Sequence, residues 1–273
     1  MDNHILYNTF IHRLKKLSTV DTAAVCTLLS NIFTLRTISN NTHGGLAEIA
    51  IVEFINHYFN NEYTAIHVGK EYYRSNNNEI DIALRDIYSE CVLPLSIKTY
   101  GLGAIQLATD KNSSLYAHLN TINRSITDTQ EIKTIISMPC FTALLNKCIL
   151  CLIYEEQQYS CNIVTFDFKL ALDNVAYIEQ LLPHGRRKHI AYRFFDTNNT
   201  RIFEIRCGGK SSNALQRGLW THTTHSIQYF NSIFEQWQTW TINNTLLQLI
   251  TKSLIAPATS HAVALQNIIS HTK

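Results

Sequence analysis

Glu79-Ile80-Asp81-Ile82-Ala83-Leu84 and Pro94-Leu95-Ser96-Ile97-Lys98 are the two stretches on which the fold turns. Each alternates polar and apolar positions, the period-2 pattern of a strand with one face against a core. In the first, Glu79, Asp81 and Ala83 share a face, and Ile80, Ile82 and Leu84 share the other. In the second, Ser96 and Lys98 point one way while Leu95 and Ile97 point the other. Paired as neighbours, such strands bring Glu79, Asp81, Ser96 and Lys98 together beside an apolar core. A further strand-like run at 65–69 precedes them, and Asn76-Asn77-Asn78 marks the intervening turn.

Upstream, Gly44-Gly45 opens a helix over about 45–60. At helical spacing Glu48 falls among Ile51, Val52, Ile55 and Phe59 on the inward face, whereas Glu53 falls with Asn56 and His57 on the polar side. An inward acid is costly unless a metal, a cation or hydrogen bonds compensate it, so Glu48 is the informative carboxylate of that helix.

Working outward, 3–38 reads as two helices with Asp21 capping the second. Beyond Lys98 comes a loop with Gly101, Gly103 and Lys111-Asn112-Ser113-Ser114, then helical sequence at 115–123 and 141–147. Strands at 148–154 and 161–167, a helix at 169–182 and a hairpin of 189–195 with 201–206 across residues 196–200 follow. Residues 225–256 read as amphipathic helix rich in Phe and Trp. The pattern predicts an α/β fold with a mixed central β-sheet flanked by helices. With 4 Pro, 9 Gly and no repeat or linker, residues 1–273 read as a single unit.

Composition narrows the function. The chain has 45% apolar and 16% charged residues and a formal net charge of +2, which excludes a coiled coil, a collagen-like chain and a disordered acidic tail. So small a net charge means that nucleic-acid binding must rest on local clusters. No signal-peptide pattern opens the chain, and no window approaches the roughly 20 apolar residues of a membrane span. The 7 scattered cysteines point to reduced thiols and a cytoplasmic protein. Cys148-Ile149-Leu150-Cys151 has CxxC spacing but lies in an apolar run, which predicts buried free thiols. There is no P-loop and no Gly-x-Ser-x-Gly elbow, and of the 12 histidines only His43 neighbours the acidic constellation in sequence.

An acid on a helix, an acid on a strand and an x-Lys on the next strand resemble the PD-(D/E)xK nuclease superfamily and, within it, the type II restriction endonucleases. The resemblance covers roughly residues 44–100. It matches Asp81 to the strand acid, Lys98 to the terminal lysine 17 residues on, and Glu48 to the acid of the preceding helix. Ile80 stands where the family name has Pro, and Ser96 stands where it has the second acid, leaving Glu79 or Glu48 to supply that charge. The resemblance implies a restriction-endonuclease-like fold and Mg²⁺-dependent, sequence-specific cleavage of double-stranded DNA. It also implies a homodimer and a companion DNA methyltransferase. Asp81, the Ile97 carbonyl and Glu48 would hold Mg²⁺, Lys98 would orient water and offset charge, and Ser96 would at most hydrogen-bond a metal-bound water. The nuclease core would span about 44–170 and the recognition elements about 185–220. Alternatives are a repair or structure-specific nuclease of the same superfamily and a non-catalytic DNA-binding protein.

A second feature fits a DNA partner. Residues 185–217 hold Arg186, Arg187, Lys188, Arg193, Arg201, Arg206, Lys210 and Arg217 against only Asp196 and Glu204. Such an excess is the electrostatic footprint of phosphate binding. Within it, Arg206, Lys210, Ser211, Asn213, Gln216 and Arg217 surround Gly208-Gly209, and their types include those that read base edges. In the loop after Lys98, residues Lys111, Asn112 and Ser113 are expected near the DNA backbone.

Overall fold

A computed structural model describes residues 3–38, 43–68, 80–109, 115–185, 187–208 and 216–255, together with positions 263, 266 and 270. The fold is α/β, with a mixed sheet and flanking helices. Helices α1 (Asn3–Val20), α2 (Thr22–Ile38) and α3 (His43–Tyr58) come first. They are followed by strands β1 (Tyr63–His67), β2 (Ile82–Asp86), β3 (Val92–Gly101) and β4 (Ala104–Thr109). Helices α4 (Leu115–Ile122), α5 (Thr129–Ile136) and α6 (Pro139–Leu145) lead to β5 (Cys148–Glu155) and β6 (Ser160–Phe166). Then come α7 (Phe168–Asp173), β7 (Tyr177–Leu181), β8 (Ala191–Phe195), β9 (Arg201–Gly208) and β10 (Gln216–His222). A 3₁₀ turn at Ile227–Tyr229 precedes β11 (Phe230–Ser232), β12 (Gln238–Thr239) and α8 (Asn244–Ile255).

Among the described residues the strands form two sheets. The larger runs β1-β2-β3-β5-β6-β11, with β12 also on β6, and is antiparallel except where β3 pairs parallel with β5. A parallel pair needs a long crossover, which the segment containing β4 and α4–α6 provides. β5 is apolar and buried from Cys148 to Tyr154, as a central strand covered on both faces must be. The smaller sheet, β4-β10-β9-β8-β7, is antiparallel throughout.

Two cores follow from this layering. One lies between α1–α3 and the larger sheet. There Leu6, Phe10, Ile11 and Leu14 of α1 recur at helical spacing, and the Phe10 ring meets Phe59 and Tyr63 edge-on at 6.3 and 5.8 Å. The other lies between the two sheets, where Phe166 of β6 meets Phe203 of β9 with ring centroids 6.5 Å apart.

The structure departs from the sequence reading in several places. Residues 104–109 form a strand rather than a loop, and α5 was not foreseen. Helix α7 ends at Asp173, and the rest of the expected 169–182 helix is β7, paired with β8. The apolar spacing suits both forms, and pairing to an existing edge decides for the strand. Among the described residues, only Asn244–Ile255 of the expected 225–256 helix is α-helical. Upstream of it Ile233, Phe234 and Trp240 fill the helix-side core, and Asn162 clamps the Phe234 backbone at both N–H and C=O. The 189–195/201–206 hairpin stands as expected.

Asp196 closes that hairpin. Its Oδ1 accepts from the N–H groups of Asn198 and Thr200 at 2.9 and 2.8 Å, and its Oδ2 accepts from the Tyr229 hydroxyl at 2.7 Å. Burial alone would raise its pKa, but the Tyr229, Thr200 and Asn198 donors outweigh it and the net shift is downward. A carboxylate depressed in the folded state stabilises above its unfolded pKa and loses that contribution as pH falls through the folded value. Asp196→Asn is therefore expected to lower the urea midpoint at neutral pH and flatten its fall on acidification. Parallel midpoint-versus-pH curves for the two proteins would contradict this.

Candidate active site

β3 carries two different faces. Leu93, Leu95 and Ile97 belong to the helix-side core, together with Ile82 and Leu84 of β2. Ser96 and Lys98 take the opposite face, as the alternation predicts, with Ser96 buried and Lys98 half-buried.

Asp81 sits one residue before β2, where the β2–β3 ladder runs out at the Ile82–Leu95 pair. Its own N–H still donates to the Leu95 carbonyl at 2.9 Å, and its carbonyl accepts from Val68 N–H at 3.0 Å. The side chain takes the next ladder position. Asp81 Oδ2 accepts from the Ile97 N–H at 2.7 Å and from Ser96 Oγ at 3.0 Å. The local cause is simple: Ile97 would be left with an unpaired N–H at the strand edge, and a carboxylate satisfies it. The N–H and C=O of a strand residue project to the same edge, so the Ile97 carbonyl also lies on the Asp81 side. Among the described residues, no hydrogen bond reaches Asp81 Oδ1.

Lys98 stands opposite Cys151 of β5 in the parallel register. Burial pushes the Cys151 thiol up to about 12, opposed by the Lys98 charge. Cys148 belongs to the helix-side core and Cys151 to the inter-sheet core, on opposite faces of β5. The two thiols are buried, as expected, and cannot share a ligand.

Glu48 has its expected inward neighbours, with Ile51, Val52, Ile55 and Phe59 all buried and Glu53 exposed. Its carboxylate, however, is engaged by His67, with Oε2 2.9 Å from Nε2. His67 ends β1 on the same face as Tyr63 and Ala65, toward α3. Glu48 is thus compensated by a histidine. Among the described residues no three His, Cys, Asp or Glu side chains converge to hold a metal. Sequence reasoning singled out His43 and missed His67. The signal was the parity of Tyr63, Ala65 and His67 on a strand beneath the helix bearing Glu48.

The remaining predicted positions divide. Glu79, Lys111, Asn112, Ser113, Arg186, Lys210, Ser211 and Asn213 lie outside the described residues. Gln216 and Arg217 belong to β10, paired with Gly208 and Cys207, and not to a loop. Arg206 is on β9, where it joins a cluster around Glu204. Arg193 Nε donates to Glu204 Oε2 at 2.8 Å, and Arg206 and Arg201 approach the carboxylate at 3.7 and 3.9 Å. The basic excess of 185–217 is therefore partly organised by a buried acid and is not a uniformly solvated run.

Ser96→Ala removes one of the two donors to Asp81 Oδ2 and leaves the Ile97 N–H in place. A loss of about 0.5–1.5 kcal/mol in unfolding free energy is expected. A urea titration showing no loss, or a loss well above about 2 kcal/mol, would contradict this.

The chain matches no protein-family model, and comparison with curated proteins and with solved structures finds no match. Among the described residues, no single helix is long and apolar enough to cross a membrane.

Proposed function

We propose that the chain is a Mg²⁺-dependent nuclease that cleaves double-stranded DNA at specific sequences, in the manner of a type II restriction endonuclease acting as a homodimer. The observation that carries this is the carboxylate of Asp81 bound at the β3 edge to Ile97 N–H and Ser96 Oγ, with Lys98 two residues further along the same strand.

The donor set suits a hard cation that keeps much of its water. Asp81 Oδ1, with no hydrogen bond among the described residues, and the Ile97 carbonyl on the same edge are the oxygens that would hold such a cation. Bound there, Mg²⁺ would supply Lewis-acid polarisation of the phosphate and a lowered pKa for water. The chain's residues do the rest. The hydrogen bonds from Ile97 and Ser96 hold the Asp81 carboxylate in one orientation before substrate arrives. Lys98 orients the attacking water and offsets negative charge developing on the phosphoryl oxygens. Ser96, donating to Asp81, acts as a positioning group in place of a second acid.

A non-catalytic DNA-binding protein is the second reading. It is favoured by the serine at the second-acid position and by the lack of three converging metal-ligand side chains among the described residues. Incubation of the protein with long unmethylated DNA, in Mg²⁺ and in EDTA, separates the two. Discrete Mg²⁺-dependent fragments support the nuclease; intact DNA with retained, salt-sensitive binding supports the alternative.

A further inference from the structure

We infer that the outer face of the five-stranded sheet grips the phosphate backbone of duplex DNA, with Glu204 as the positioning residue for the guanidiniums of Arg193, Arg201 and Arg206. The choice of DNA as occupant rests on the nuclease reading above.

The strand register places Glu179, Arg193, Glu204, Trp220 and Gln106 directly opposite one another across β7, β8, β9, β10 and β4. Tyr192, Phe194, Phe203, Ile205 and Leu219, at the alternate positions, face the inter-sheet core. The polar row is therefore the sheet's outer face. In its middle the Glu204 side chain is only 6% exposed, and among the described residues its Oε1 has no hydrogen-bond partner. A carboxylate buried this far is costly unless cations surround it. Here three do, and their side chains remain 24–36% exposed. One carboxylate cannot neutralise three guanidiniums, so the cluster keeps a surplus of two positive charges at the surface. Glu179, across from Arg193, stands on the edge strand β7.

Each guanidinium is also held in place. Arg193 is hydrogen-bonded to Glu204, and Arg201 is 2.9 Å from His225 Nδ1. Arg206 lies over the Trp220 ring at 4.4 Å. That indole packs over Gly218, where a Cβ would come within 2.4 Å of Gln106 Nε2 and 3.1 Å of Trp220 Nε1. Glycine at this position keeps the platform beneath Arg206 flat. Guanidiniums whose rotamers are already restricted lose less entropy when they engage phosphate, and their planar donor forks suit phosphate oxygens. The geometry thus gives the buried Glu204 a purpose that stability alone does not.

The test is fluorescence anisotropy of a short labelled duplex across a salt series in EDTA, where cleavage plays no part. The variants are Arg201→Ala, Arg206→Ala and the charge-neutral pair Arg193→Gln with Glu204→Gln, each checked for folding by circular dichroism. Each is expected to weaken binding and to lower the slope of log affinity against log salt by roughly one. The paired variant leaves net charge unchanged, so a purely electrostatic or structural role would not move its slope. Arg206→Lys, which keeps the charge and the stem, covers the case in which Arg206→Ala fails to fold. It is expected to keep the slope but lose affinity. Wild-type affinity and slope in the folded variants would overturn the assignment, as would equal competition by single-stranded RNA or polyglutamate. The nuclease reading stands or falls separately on Mg²⁺-dependent cleavage by the wild-type protein. Inert DNA with slope loss in the variants removes that reading and keeps the surface; cleavage with unaltered variant binding does the reverse.

Discussion

Asp81→Asn is expected to lower the rate of Mg²⁺-dependent DNA cleavage by on the order of a thousandfold or more, about 4 kcal/mol of barrier, while leaving the protein folded. Asparagine keeps the size of the side chain. Its carbonyl oxygen can still accept from Ile97 N–H and Ser96 Oγ, now found at 2.7 and 3.0 Å from Asp81 Oδ2. What disappears is the negative charge and the second oxygen, which is where a hard cation would bind. The unfolding midpoint should therefore move little, and DNA affinity in EDTA should hold. Lys98→Met, which preserves most of the stem against β5, should give a comparable loss of rate with the same retention of binding. The assay is cleavage of long unmethylated DNA by each variant beside the wild type, with urea unfolding as the folding control. Unimpaired cleavage by Asp81→Asn, or a parallel loss of cleavage and DNA affinity, would remove Asp81 from the chemistry.

Phe203→Ala should have the largest effect on stability, costing about 3–5 kcal/mol of unfolding free energy. Phe203 is fully buried on β9, with its ring 4.5 Å from Phe194, 5.8 Å from Phe141 and 6.5 Å from Phe166. Phe166 belongs to the larger sheet and Phe141 to the crossover helix α6, so this one side chain joins both sheets to the helices between them. Truncation leaves a cavity whose walls are three other rings, and rigid aromatic walls collapse poorly. A urea titration followed by fluorescence and by circular dichroism should show one shifted transition. Two separated transitions in the wild type would mean that the sheets fold as independent units, and the effect would then be confined to one of them.

These two residues illustrate what was legible in the chain and what was not. The period-2 alternation at 79–84 and 94–98 was enough to predict adjacent strands with Ser96 and Lys98 on one face and Leu95 and Ile97 on the other, because strand side chains alternate whatever the fold. Asp81 and Ser96 were brought together on that basis, and they do meet. The inward face of α3 was equally legible, since Glu48 shares helical spacing with Ile51, Val52, Ile55 and Phe59. So was the buried character of Cys148 and Cys151 in an unbroken apolar run.

The sequence by itself therefore determined the local periodicities, the α/β class and the pairing of the strands around Asp81. Tertiary structure alone decided the partners. Glu48 reaches His67 because β1 passes beneath α3, and no spacing in the chain encodes that crossing. Residues 177–181 become a strand because β8 offers an edge, although their apolar pattern would also serve a helix. The second sheet exists because β4, read as a loop, and β10, given no element in the sequence reading, pair with each other and continue onto β9. Arg193, Arg201 and Arg206 gather on Glu204 for the same reason, since antiparallel register sets side by side residues distant in the chain. Short-range spacing records which face a residue prefers, whereas the neighbour that satisfies its charge or hydrogen bond depends on how whole elements pack.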